Sequence, residues 1–102
     1  MKNRILLIID PQVDFIDGAL AVAGAREAMD ALASYVDAFG NSYSHIIVTA
    51  DRHPPCHSSF VGAGGRWPRH CVADSVGAAV WPRLMESLYA HVPEVIIVHK
   101  GE

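Results

Sequence analysis

The sequence predicts an α/β fold: a doubly wound parallel sheet of about three strands, with helices between them in a three-layer α/β/α, Rossmann-like arrangement. Three observations predict it. Three short apolar runs lack polar alternation, the intervals between them carry helical signals, and each run ends in a polar residue. Continuous apolar runs are how the central strands of a parallel sheet read, because both of their faces are covered.

The first run, Ile5 to Ile9, ends at Asp10. Ala25 to Phe39 then places Ala28, Leu32, Val36 and Phe39 at helical spacing, and Gly40-Asn41 supplies a stop. The second run, Ile46 to Val48 extending to Thr49, leads to Asp51. From Asp51 to Val80 the chain is rich in Pro, Gly and Ser and longer than an ordinary structureless connection, which marks it as functional. Pro82 to His91 allows a helix of about two and a half turns, with proline in its first turn and Pro93 just beyond its end. Val95 to Val98 is the third run, and it reaches Lys100 through His99. Ligands of open α/β sheets sit outside the carboxyl ends of the strands, so Asp10, Asp51 and Lys100 are expected on one rim. Strand order stays open. Making the first and third strands neighbours brings Asp10 and Lys100 together most simply, while a long lysine also reaches across an intervening strand.

A chain of 102 residues is one domain at most, and this size buries roughly 60–70% of its unfolded surface. The net charge of −3 includes no basic run, so no surface suited to tracking nucleic-acid phosphates is expected. Arg4 is followed by a short apolar stretch that stops at Asp10, which is no signal-peptide pattern, and nothing approaches the ~20 apolar residues that cross a bilayer. The expected location is cytoplasmic, with no membrane partner. Cys56 and Cys71 do not form a secreted disulfide pattern and are both expected as free thiols.

The chemistry-bearing residues concentrate in the long loop. Asp51-x-His53 follows an extended segment, where side chains two apart point to the same side, so one carboxylate and one imidazole can converge on an ion. His70, in Trp67-Pro68-Arg69-His70, can complete the set. One carboxylate and two imidazoles suit a divalent metal, Zn2+ first and Fe2+ or Mn2+ as alternatives, and three protein ligands leave a position open for water or substrate. His57 stays open between a further ligand and a loop histidine bonded to backbone. His45, His91 and His99 belong to no constellation and are expected at solvated strand or helix ends. A structural zinc site using Cys56 and Cys71 with the histidines is the rival reading. No Cys-x(2–4)-Cys spacing supports it, and Cys56-His57 and His70-Cys71 are sequence neighbours that converge awkwardly on one ion.

Five ordered segments carry a family resemblance. They are Ile8-Ile9-Asp10-Pro11-Gln12-Val13-Asp14-Phe15 with Leu20-Ala21-Val22, Thr49-Ala50-Asp51-Arg52-His53-Pro54-Pro55, His57-Ser58-Ser59-Phe60, Trp67-Pro68-Arg69-His70-Cys71-Val72 with Gly77-Ala78, and Val98-His99-Lys100-Gly101. On these the chain resembles the N-terminal half of the nicotinamidase/pyrazinamidase group within the isochorismatase-like cysteine hydrolases, with residues 1–102 the N-terminal part of a single hydrolase domain. The resemblance implies cleavage of nicotinamide or a related small amide to acid and ammonia. It implies Asp10 as general base, Lys100 as its cationic partner, and a nucleophilic cysteine from the second half. It also implies Asp51, His53 and His70 as metal ligands, His57 as a fourth in some members, and Phe15 and Trp67 as walls of the substrate pocket.

Neither cysteine of this chain stands in the nucleophile's place. Two classes of function follow: a metal-dependent amide hydrolase of which this chain is the N-terminal portion, by truncation, cleavage or a split gene, or a non-catalytic metal-binding or interaction module. In either case a three-stranded sheet apolar on both faces cannot cover itself with two helices. The expected partners are therefore further copies of the chain or the missing C-terminal half, besides a small amide substrate.

Overall fold

The computed structural model describes residues 3–91 and 94–102, with the side chain of His91 outside that set. The expectations for His91 and Pro93 thus fall outside the described residues. Six elements follow in order: β1 Ile5–Ile9, α1 Val13–Ile16, α2 Ala25–Phe39, β2 His45–Asp51, α3 Pro82–His91 and β3 Val95–Lys100. Both long helices have the bounds expected from their spacing. The second and third strands run further than their apolar runs, to Asp51 and Lys100, because parallel pairing uses backbone groups that polar residues also carry.

The sheet is fully parallel in the order β1-β2-β3, so β2 is central and separates the strands that lead to Asp10 and Lys100. Register pairs Leu6 with Ile46, and Ile46 with Val95, and two residues on, Ile8 with Val48, and Val48 with Ile97. Against this face pack Val36 of α2 and Leu84 and Leu88 of α3, forming one buried cluster with Ile8, Ile46 and Val48. Each such side chain contributes about 1.5–3 kcal/mol by leaving water.

The α/β class and the parallel strands are as the sequence predicts. Within this chain, however, both long helices cover one face of the sheet. The two crossovers step in the same direction, and right-handed crossovers of that kind lay their helices on one side. The opposite face carries Ile5, Leu7 and Ile9 of β1 and Ile96 and Val98 of β3, and these are 41% to 66% exposed. The chain itself builds two of the three expected layers.

Candidate active site and metal centre

The rim at the carboxyl ends of the strands brings together Asp10, Asp51 and Lys100. The chain leaves β1 through Asp10 in a left-handed conformation, φ 52°, a region open to aspartate though uncommon. Its N–H donates to the Thr49 carbonyl at 3.0 Å. Its Oδ1 accepts from the Thr49 hydroxyl at 2.8 Å. The other oxygen accepts from Lys100 Nζ at 3.1 Å, and the same ammonium donates to Asp51 Oδ1 at 2.6 Å. Lysine length answers the question of strand order: from β3 the side chain crosses the end of β2 to meet the residue after β1. The Asp51 hydrogen bond, followed by that to Asp10, raises the Lys100 pKa above its ordinary value. The group is therefore a firm cation at neutral pH.

Asp51 turns its second oxygen toward His53, with Oδ2 3.5 Å from Nε2. His53 is stitched to the far end of the loop by backbone: its N–H donates to Cys71 O at 2.9 Å, and its carbonyl accepts from Ala73 N–H at 2.8 Å. That pairing carries His70 to within 5.0 Å of His53, centroid to centroid. Asp51, His53 and His70 each offer a ligand atom within 4.8 Å of the others, and both histidines are buried.

The donor chemistry fits a metal. Nδ1 of His53 faces the Gly101 carbonyl at 2.5 Å, and Nδ1 of His70 faces the Pro68 carbonyl at 2.7 Å. A carbonyl can only accept, so each Nδ1 carries a hydrogen, and in the neutral ring Nε2 is then the nitrogen with the lone pair, the usual outer-shell arrangement for ligating imidazoles. Among the described residues no cysteine joins this group, so the rival zinc site with Cys56 and Cys71 finds no support. His57 is not in the group either. Its ring lies 4.2 Å from that of His53, while its Nδ1 faces the Ser59 hydroxyl at 2.7 Å and the Ser59 N–H at 3.2 Å.

Phe15, in α1, sets its ring 5.6 Å from His70. Trp67 is half exposed, and Phe60 and Trp67 are bridge partners in the loop. Both cysteines are free, Cys56 exposed and Cys71 buried. Burial first, then the charges of Asp14, Asp51 and Asp10, push the Cys71 thiol up to about 12. It is a protonated, inert thiol at neutral pH. His45 Nδ1 lies 3.1 Å from Glu94 Oε2 but is a buried nitrogen without a hydrogen bond among the described residues, and His99 is exposed.

Four residues without an assigned role in the sequence reading hold the rim together. Gln12 is fully buried, and its amide donates to Asp51 O at 2.8 Å and Ala78 O at 2.9 Å and accepts from Asp51 N–H at 2.9 Å. It continues the β1–β2 ladder with a side chain where the backbone of β1 has turned away. Asp14 accepts from the Cys71 N–H at 2.8 Å and so fixes the residue beside His70. Its carboxylate fills the space at Gly77, where a Cβ would stand 2.1 Å from Oδ2. Thr49 orients Asp10, and Gly101 supports His53. The signal for Thr49 was a hydroxyl following an apolar run; an uncharged amide after proline gave none for Gln12.

An isochorismatase domain model matches residues 4–99. The nicotinamidase of Escherichia coli is 33% identical over 118 aligned residues, covering 100% of this chain and 53% of that protein. The nicotinamidase/pyrazinamidase of Mycobacterium tuberculosis is 36% identical over 85 residues, covering 79% of this chain and 45% of its own length. Among solved structures, the pyrazinamidase of Pyrococcus horikoshii in complex with zinc superposes with a TM-score of 0.80 at 31% identity, over 98% of this chain and 52% of that one. The chain spans about half the length of the curated relatives it matches.

Proposed function

The chain belongs to the isochorismatase domain family, and from that premise we propose that it furnishes the base, the cation and the metal ligands of a nicotinamidase-type amide hydrolase. The substrate class is nicotinamide or a related small amide, and the products are the acid and ammonia. One observation carries this reading: a single ammonium, that of Lys100, sits between Asp10 and Asp51, joining the carboxylate assigned as base to one that belongs to the metal-ligand group.

In this reading Asp10 is the general base. Thr49 and Lys100 hold its two oxygens so that it faces the substrate in one orientation, and the Lys100 charge favours an anion beside it. By the family resemblance the nucleophile is a thiol contributed from beyond the described chain, and Cys71, buried and protonated, does not stand in for it. Asp10 takes the thiol proton while sulfur adds to the amide carbon. The C–N bond then breaks, the proton passes to the departing nitrogen, and ammonia leaves a thioester that water hydrolyses to the acid. Asp51, His53 and His70 would hold a divalent metal, Zn2+ first with Fe2+ or Mn2+ as alternatives, while His57 stays outside that group with its Nδ1 turned to Ser59. When bound, the metal supplies an anchor for a ring nitrogen or polarises water. Phe15 and Trp67 wall the pocket, where a ring can stack on a heteroaromatic substrate.

The test is ammonia release from nicotinamide. The 102-residue chain alone is expected to be inactive, and the chain joined to a following segment that supplies a cysteine after a further strand is expected to be active, with Asp10→Asn abolishing turnover. Full activity in that Asp10→Asn protein would sink the assignment. The open apolar sheet face also favours an assembly, either with such a second half or with further copies of the chain. A monodisperse monomer by light scattering at high concentration would argue against it.

A further inference from the structure

Gly101 follows directly on Lys100, so two consecutive residues serve both parts of the rim. The Lys100 side chain ties down Asp10 and Asp51, and the Gly101 carbonyl accepts from His53 Nδ1 at 2.5 Å. Two independent features of this position favour glycine over any residue with a Cβ. Its φ is +72°, and an added Cβ would stand 2.5 Å from Cε1 and 2.9 Å from Nδ1 of His53. A flexible side-chain tip could move out of the way of such a Cβ, but the His53 ring cannot. It is flanked by the rings of His57, Phe60 and His70, with centroids 4.2, 5.6 and 5.0 Å away.

We propose that Gly101 is a positioning residue of the metal centre: its carbonyl selects the His53 tautomer that presents Nε2, and its bare Cα leaves the space in which the ring lies. The inference rests on reading Asp51, His53 and His70 as metal ligands. Loss of an outer-shell partner of this kind weakens metal affinity by roughly ten- to a hundredfold.

Gly24 provides a matched control. It has φ +78° at the start of α2, and a Cβ there meets nothing within 4 Å. Gly24→Ala thus carries the same backbone strain without touching the site. In the full chain, Zn2+ affinity is measured by competition with a chromophoric chelator, alongside the Co2+ d–d spectrum and the thermal midpoint. Both variants are expected to lower the thermal midpoint, while Gly101→Ala alone weakens Zn2+ by roughly ten- to a hundredfold and alters the Co2+ band. Equal Zn2+ affinity in wild type, Gly24→Ala and Gly101→Ala overturns the role of Gly101 and leaves the metal reading standing. A wild-type chain that binds neither ion overturns both. A readout that needs no substitution is the long-range 1H–15N spectrum of the metal-free chain. It is expected to show the His53 hydrogen on Nδ1, and a hydrogen on Nε2 overturns the proposal even if Gly101→Ala does not fold.

Discussion

Replacing Gln12 with methionine keeps the length and nearly the volume of a fully buried side chain and deletes its hydrogen bonds. The change strands the Asp51 N–H and the carbonyls of Asp51 and Ala78. A stranded group costs about 1–3 kcal/mol, and carbonyls fall at the low end because they have a second lone pair to place elsewhere. The expected loss is therefore about 3–6 kcal/mol, a large part of the ~5–15 kcal/mol that holds a domain folded. Gln12→Glu is expected to be worse. It keeps an acceptor for the Asp51 N–H but sets a carboxylate oxygen against two carbonyl oxygens in a site closed to water. The assay is urea unfolding of wild type and both variants, with the slope checked for constancy so that midpoints report stability. A methionine loss below about 1 kcal/mol at unchanged slope, or a glutamate variant as stable as wild type, would refute the view that this amide splices β1 to β2.

Four further outcomes are expected. Zn2+ should raise the thermal midpoint, by about 2.7 kcal/mol of stability at a hundred times its Kd, and His70→Ala should abolish the shift; a wild-type chain indifferent to Zn2+ and to chelator would count against the metal centre. Iodoacetamide should label Cys56 in the folded chain and Cys71 only after unfolding. Because the Cys71 thiol is held protonated up to about 12 when folded, against 9.0 ordinarily, the unfolded chain binds fewer protons between those values. Its contribution is thus complete below pH 9 and lost as pH rises through that window, at no more than about 1.4 kcal/mol per pH unit; a Cys71→Ala variant with an identical alkaline profile would contradict this. Leu7→Glu or Ile96→Glu, on the open sheet face, should lower self-association and the binding of an apolar dye, and unchanged values would remove that face from the interface.

Much of the layout was legible because it is written in local patterns. The spacing of Ala28, Leu32, Val36 and Phe39 bounded one helix, and Pro82 with its following residues bounded the other. The polar residues at the ends of apolar runs foretold the shared rim of Asp10, Asp51 and Lys100. Periodicity was silent on three matters. It carries nothing about which strands are neighbours, so only the reach of Lys100 across β2 decided how the rim closes. It could not show α1, whose four residues are a single turn. Nor could it say which apolar strand face finds a cover in this chain, since Ile8 and Leu7 look alike in sequence yet lie on opposite sides of the sheet. The fine support of the site was illegible for another reason. Gln12, Asp14 and Gly101 act on partners about 40 to 70 residues distant or through backbone atoms, and neither leaves a periodic trace.

The position of Lys100 also makes its contact with Asp10 one that spans nearly the whole chain. Asp10 and Asp51 are brought together by the β1–β2 ladder, across about 40 residues of chain, whereas the ammonium that separates their charges is 90 residues from Asp10. Closing a longer span of chain costs more conformational entropy, although that cost grows only slowly with length. Removing that ammonium would leave two carboxylates at one end of the sheet with their like charges uncompensated. One side chain thus ties the first strand's exit to the third strand's end, and the rim is closed only when β1, β2 and β3 are all in register.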